Sequence, residues 1–106
     1  MELTGFGERL AKLRMAKGIS ARKLSFQLGK SANYINKIEN GKTYPSMEVF
    51  FDICSSLEIS QKDFFDEENE YPSEVNEMLG DYKRLSRDAR ASLKNFVKAI
   101  AGKDNR

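Results

Sequence analysis

Two short amides, a methyl and a single cation in the segment GKSANYINK could together recognise hydrogen-bonding and methyl groups: Asn33, Asn36, Ala32 and Lys37. An asparagine amide can pair with adenine through two hydrogen bonds, a lysine ammonium can donate to guanine, and an alanine methyl can touch the methyl of thymine. A solvated helix face more often mixes long charged side chains. The group therefore indicates a surface that reads the edges of DNA bases, with a merely solvated polar face as the alternative.

Two short helices joined by a glycine turn are predicted to position this group. Ser20 has the N-cap chemistry to begin the first helix, which ends at Gly29. Ser31 is predicted to cap the second helix, whose Ile35 and Ile38 form a buried side. A turn of this length holds the second helix at a steep angle, so that it projects from the body and fits the major groove of B-DNA.

The other elements are also predicted to be helices. The N-terminal helix carries an apolar stripe and ends at Gly18. A longer helix begins at Ser46, and Ser60 with Asp63 forms a capping-box pattern that begins another. Beyond Pro72 the sequence predicts two further amphipathic helices, whose apolar residues are Val75, Met78, Leu79 and Tyr82 on one and Ala89, Leu93, Phe96, Val97 and Ile100 on the other.

The charged residues divide the chain into three segments. Residues 1–62 hold ten Lys/Arg against six Asp/Glu, residues 63–81 hold eight acids and no base, and residues 82–106 hold eight bases and two acids. We interpret the acidic run, which contains DEENEY, as a repelling linker. The predicted domains are therefore residues 1–66, an acidic linker over 67–72, and a helical hairpin over 73–102.

Catalytic chemistry has no support in this composition. The chain has no histidine, which removes the usual general base and the commonest metal ligand, and its one cysteine, Cys54, is expected to be a small buried thiol. No enzyme activity, cofactor or metal is predicted. The sequence shows neither a membrane-length apolar run nor a signal-peptide pattern, so a cytoplasmic location without membrane association is expected.

The stretch ISARKLSFQLGKSANYINKIENGKTYPSMEVFFDICSSLEIS resembles the helix-turn-helix domain of the Cro/cI-type family, also called the xenobiotic-response-element family, of phage repressors and bacterial regulators. The agreement spans about residues 6–65 and includes Leu24, Gly29, the two isoleucines, the run IENGK and Pro45. The resemblance implies an all-α fold, namely a five-helix lambda-repressor-like domain, here followed by a C-terminal two-helix extension. It also implies sequence-specific binding of double-stranded DNA as a homodimer.

The resemblance assigns roles to individual residues. The family's base contacts fall on Ala32, Asn33, Asn36 and Lys37. Its phosphate contacts fall on Ser20, Asn40, Lys42 and Thr43, with Arg22 as a substitute for a usual glutamine at Ala21, and with Tyr34 open between packing on the body and reaching a phosphate. Arg14 and Glu39 match a pair that joins the first helix to the third, which we interpret as a structural ion pair.

Two departures from the family pattern lead to further expectations. Glu58 replaces a common glycine, which predicts a strained backbone φ or a shifted helix end. Ser25 stands where alanine is usual, near a close helix crossing, and is small enough to fit.

The C-terminal helices present more apolar surface than two short helices can hide in each other. They are therefore predicted to form a dimer interface through Leu93, Phe96, Val97 and Ile100. The function predicted is a transcriptional regulator, most simply a repressor on a palindromic operator. The alternative is an antitoxin or interaction module whose C-terminal helices bind another protein.

Overall fold

The computed structural model describes residues 1–104, and the regular structure of this range is entirely α-helical, as predicted. No helix within it is long and apolar enough to cross a membrane. The helices are α1 (Leu3–Lys17), α2 (Ala21–Gln27), α3 (Tyr34–Glu39), α4 (Met47–Ser56), α5 (Gln61–Phe65), α6 (Pro72–Arg84) and α7 (Arg87–Asp104).

The described part of the chain divides into two compact units. The first is Met1–Val75, with α1 to α5 and the first turn of α6, and the second begins at Asn76. The first unit thus contains the five helices predicted for the DNA-binding domain. It also contains residues 67–72, which the sequence analysis interprets as a linker.

A single hydrophobic core holds the five helices of the first unit together. Its fully buried side chains come from α1 to α5 and the turn after α4; the largest are Phe64, Leu10, Leu24, Ile35, Ile38, Ile53 and Leu57. Burying one such side chain stabilises the fold by about 1.5–3 kcal/mol. Cys54 lies in this core as expected, and burial raises the pKa of its thiol to about 11, so the thiol stays protonated and unreactive near neutral pH.

Serine side chains begin α2, α4 and α5 as predicted. The hydroxyls of Ser20, Ser46 and Ser60 each accept a hydrogen bond from the backbone N–H three residues later, and Ser60 forms a complete capping box with Asp63. The predicted strain at Glu58 is confirmed, because its φ is 58°, in the left-handed region that the family's glycine adopts easily.

Arg9 supplies a long-range contact that the sequence analysis missed. Its side chain is 3% exposed, and its guanidinium donates hydrogen bonds to backbone carbonyls of residues in the acidic run. These are Phe64 O at 2.6 Å, Asp63 O and Asp66 O at 2.7 Å, and Asn69 O at 3.0 Å. Burial lowers the pKa of Arg9, while the carboxylates of Asp66 and Glu67 oppose that shift. We call residues 63–70 the acidic strap.

In the second unit, Arg90 joins the end of α6 to the start of α7. It donates to Tyr82 O at 3.1 Å and to Lys83 O at 2.6 Å, and its guanidinium lies 5.2 Å from the centre of the Tyr82 ring. The bond to Lys83 O satisfies a carbonyl of the last turn of α6, whereas Tyr82 O also accepts from Leu85 N–H at 3.2 Å. The hydroxyl of Ser86 accepts from Ala89 N–H at 3.2 Å and so caps α7.

Candidate nucleic-acid interface

The segment between α2 and α3 is longer than predicted. Gly29 has a φ of 70°, and Tyr34 N–H donates to Ser31 O at 3.1 Å, so the residues from Ser31 to Asn33 form a turn. The N-cap of α3 is Asn33, and the prediction that Ser31 caps this helix is wrong. The chain changes direction after Gly29, and the turn formed by the residues from Ser31 to Asn33 completes this change before α3 begins.

The buried side of α3 fixes the rotation of the helix about its own axis. Ile35 and Ile38 are fully buried. Ser25, also fully buried, donates to Ala21 O at 2.8 Å and accepts from Ile35 N–H at 3.1 Å. The serine thus satisfies an N–H of the first turn of α3, which has no partner within the helix. From the sequence, Ser25 is expected only to be small enough to fit, and this hydrogen bond is not predicted.

The C-terminal half of α3 is held against α1 by an ion pair, as the resemblance implies. Arg14 Nε lies 2.7 Å from Glu39 Oε2, and Arg14 Nη2 lies 2.9 Å from Glu39 Oε1, which is the two-pronged geometry that favours arginine over lysine. Arg14 Nη1 also donates to Ile19 O at 2.9 Å. The hydrogen bond to Glu39 raises the pKa of Arg14 against the opposing effect of burial.

Gly7 permits the closest approach between α1 and α3. A Cβ atom at this position would lie 2.5 Å from the carbonyl oxygens of both Ile38 and Glu39. Only a residue without a side chain therefore fits here. Burial, the ion pair and this backbone contact together hold α3 in one orientation.

The opposite side of α3 and the turn before it is open to solvent. Asn33, Asn36 and Lys37 are exposed, and Ala32 is half-buried beside them. The structure thus brings the four candidate base-reading residues onto one short segment, with the two isoleucines on its other side. Amide, ammonium and methyl groups held in this way can meet the hydrogen-bonding and methyl groups of a DNA major groove.

Most of the candidate phosphate-binding residues have exposed side chains at the start of α2 or just after α3: Ser20, Arg22, Asn40, Lys42 and Thr43. The Ser20 hydroxyl accepts from Lys23 N–H at 3.0 Å, so its own hydrogen is still able to donate to a phosphate. The Thr43 hydroxyl donates to Tyr44 O at 3.1 Å and must rotate before it can donate to a phosphate. The Arg22 guanidinium lies 5.4 Å from the centre of the Phe26 ring.

Tyr34 packs on the body of the first unit. Its ring is partly buried against the hydrophobic core, and Lys30 Nζ lies 5.4 Å from the ring centre. Burial raises the pKa of its phenol. Of the two interpretations that the sequence leaves open, this geometry favours packing.

Comparisons with known proteins identify the family of this chain. A family model described as a helix-turn-helix domain matches residues 7–70. HTH-type transcriptional regulator SinR of Bacillus subtilis (strain 168) is 30% identical over 89 residues, which cover 81% of this chain and 78% of SinR. The chain belongs to the Cro/cI-type helix-turn-helix family. The protein is accordingly a DNA-binding transcriptional regulator, and its family is not a class of enzymes.

Two solved structures of regulators resemble this Cro/cI-type protein. The restriction-modification controller protein C.AhdI from Aeromonas hydrophila is 33% identical, with a TM-score of 0.56, over 59% of this chain and 91% of that chain. The clp gene regulator ClgR from C. glutamicum is 28% identical, with a TM-score of 0.55, over 57% of this chain and 78% of that chain. The share of this chain that each covers is smaller than the share covered by the SinR match.

Proposed function

We propose that this regulator is a repressor that binds a palindromic operator as a homodimer and reads each half-site with Ala32, Asn33, Asn36 and Lys37. The observation that carries the proposal is the side-chain distribution on α3. Its isoleucines are fully buried, whereas its amides and its lysine face solvent in a fixed orientation. A rigid element can discriminate between bases because its side chains are ordered before binding. The entropy cost of ordering them therefore does not reduce the binding free energy.

Binding strength and sequence preference would come from different residues. Arg22, Lys42 and the polar side chains near them would contact phosphates, which supplies affinity that decreases as salt is added. Each well-made contact to a base edge would contribute about 1–3 kcal/mol of discrimination against the wrong base. A bound repressor would then act by occupying DNA that the transcription machinery needs, and its site of action would be the cytoplasm.

The homodimer is supported by apolar side chains in the second unit. Phe96, Val97 and Ile100 are 63%, 54% and 42% exposed, and Leu93 is half-buried. A group of this kind on one face of α7 favours association with another surface. A single recognition helix reads only a few base pairs, so pairing two copies would lengthen the site that is read and make it palindromic.

The base-reading assignment is tested by selecting bound duplexes from a random DNA pool. We expect Asn33→Ala and Lys37→Ala each to relax the preference at particular base positions. Lys42→Ala is the matched control: it should weaken binding to all duplexes alike and reduce the slope of log affinity against log salt by about one unit. An unchanged ranking of duplexes for both Asn33→Ala and Lys37→Ala would contradict the assignment.

The same exposed face of α7 also fits a second candidate function, an antitoxin or interaction module that binds another protein. Sedimentation of the purified protein separates the two candidates. A dimer supports the repressor proposal. A monomer at high micromolar concentration, with or without operator DNA, favours the second function, in which α7 binds a protein of a different sequence.

A further inference from the structure

The acidic strap is attached to the DNA-binding unit along most of its length. Arg9, on α1, binds backbone carbonyls at four positions between Asp63 and Asn69, at distances of 2.6–3.0 Å. Because these partners are backbone atoms, the bonds fix the path of the chain and do not depend on which side chains the strap carries. Hydrogen bonds from a charged donor are stronger than those between neutral groups.

The residues that follow the strap are also attached to the first unit. Pro72 is buried, and Lys17 Nζ lies 3.4 Å from Ser73 Oγ. The same ammonium lies 2.9 Å from Glu58 Oε2. Helix α6 therefore begins within the first unit, and it continues without interruption into the second, since the boundary between units follows Val75.

We propose that Arg9 is a positioning residue for DNA recognition, because it removes the free linker between the base-reading unit and the helices that pair two copies, and so restricts the half-site spacing that the dimer accepts. This inference rests on the proposed function, in which the second unit forms the homodimer. From the sequence alone, Arg9 has no predicted role and residues 67–72 are interpreted as an acidic, repelling linker.

The size of the effect follows from the reach of a flexible chain. A free linker of six residues has a root-mean-square length of about 13 Å. One base pair adds about 3.4 Å along the duplex and rotates the next half-site by about 35°, so a free linker would tolerate spacings that differ by several base pairs. A strap held by Arg9 offers no such slack, and the dimer should accept one spacing.

The test measures affinity for duplexes that carry two copies of the selected half-site at spacings increased or decreased by one to three base pairs. For the wild-type protein we expect one optimum, with roughly tenfold or greater loss for a change of one base pair. Arg9→Gln should keep its affinity for a single half-site and bind all the spacings within about threefold of one another. Ile53→Val, which loses core packing but removes none of the hydrogen bonds between Arg9 and the strap, is the control for reduced stability and should keep the wild-type profile.

A second variant keeps the proposal testable if Arg9→Gln fails to fold. Inserting Gly-Ser-Gly after Val75, at the boundary between the two units, leaves the contacts of Arg9 and Pro72 intact but interrupts α6 with a flexible linker. It should broaden the spacing profile in the same way. A glutamate-specific protease gives a direct measure of the strap: cleavage after Glu67 and Glu68 should be at least about tenfold faster in Arg9→Gln than in the wild-type protein, because the bonds that hold the strap are lost.

The outcomes separate this inference from the proposed function. A wild-type dimer with a flat spacing profile would overturn the inference alone, and so would insertion and Arg9→Gln variants that both keep the wild-type optimum. A protein that sediments as a monomer with and without DNA would overturn the proposed homodimer, and the inference with it. A sharp wild-type optimum that both variants broaden supports both.

Discussion

At the scale of single residues, Gly7 determines how closely α1 and α3 approach. The atoms that a side chain would meet are carbonyl oxygens of the α3 backbone, which cannot move without shifting the helix that carries the base-reading residues. The glycine is thus needed for space, at a helical position where its backbone freedom is a cost.

Gly7→Ala should lower the free energy of unfolding by about 1–3 kcal/mol, because the methyl group forces α1 and α3 apart. Gly5→Ala is a matched control in the same helix, since its methyl group would meet only Met1 Cγ, at 3.4 Å. That control should be neutral or should stabilise the protein by up to about 1 kcal/mol through the better helix propensity of alanine. Chemical denaturation measures both changes, and equal effects of the two substitutions would contradict the packing argument.

Residue-scale features differ in how well the sequence predicts them. The caps at Ser20, Ser46 and Ser60 are predictable because each serine bonds to a backbone group three residues away. The contacts of Arg9 are not predictable, because its partners lie 54–60 residues further along the chain. These partners are backbone carbonyls, which every residue type has, so no side-chain pattern marks them. An arginine in an amphipathic helix is ordinarily expected at the surface, and only the folded chain shows that Arg9 is buried.

At the scale of elements, α3 has only six residues and depends on its neighbours for stability. An isolated helix of this length is unstable in water, so its orientation is set by packing and by contacts with α1 and α2. The apolar pair Ile35 and Ile38 makes the buried side predictable. The start of the helix is less predictable, because the residues from Ser31 to Asn33 can equally cap a helix or form a turn, and the direction of the chain after Gly29 decides between them.

Removing the ion pair tests how α3 is held. Glu39→Ala leaves the partly buried guanidinium of Arg14 without its carboxylate and should lower the free energy of unfolding by about 1–3 kcal/mol, a range that allows for partial solvent access. Glu39→Gln keeps the shape and one acceptor, so it should lose less. Thermal unfolding measures the stability of both variants. Loss of DNA binding in Glu39→Ala at an unchanged melting temperature would instead assign Glu39 a direct role in recognition.

At the scale of the whole molecule, the extent of the first unit indicates where the chain can be shortened without unfolding the DNA-binding part. The first unit has its own core and extends to Val75, with Pro72 buried and Ser73 in contact with Lys17. The alternating charge of the sequence predicts a DNA-binding domain that ends at residue 66, whereas the first compact unit extends to Val75. The difference arises because acidic side chains predict repulsion, whereas the contacts that hold the strap are made by its backbone.

A chain ended after Val75 should therefore fold, bind DNA and remain a monomer. It keeps α1 to α5, the strap and all the candidate base- and phosphate-binding residues, but lacks the exposed apolar side chains of α7. Sedimentation should show a dimer for the full chain and a monomer for the shortened one. Because the half-site is read by α3 alone, the shortened chain should select the same half-site sequence with weaker affinity, and it should bind duplexes with one and with two half-sites equally well per site. A shortened chain that dimerises as strongly as the full chain would place the interface on the first unit and remove the proposed role of α7.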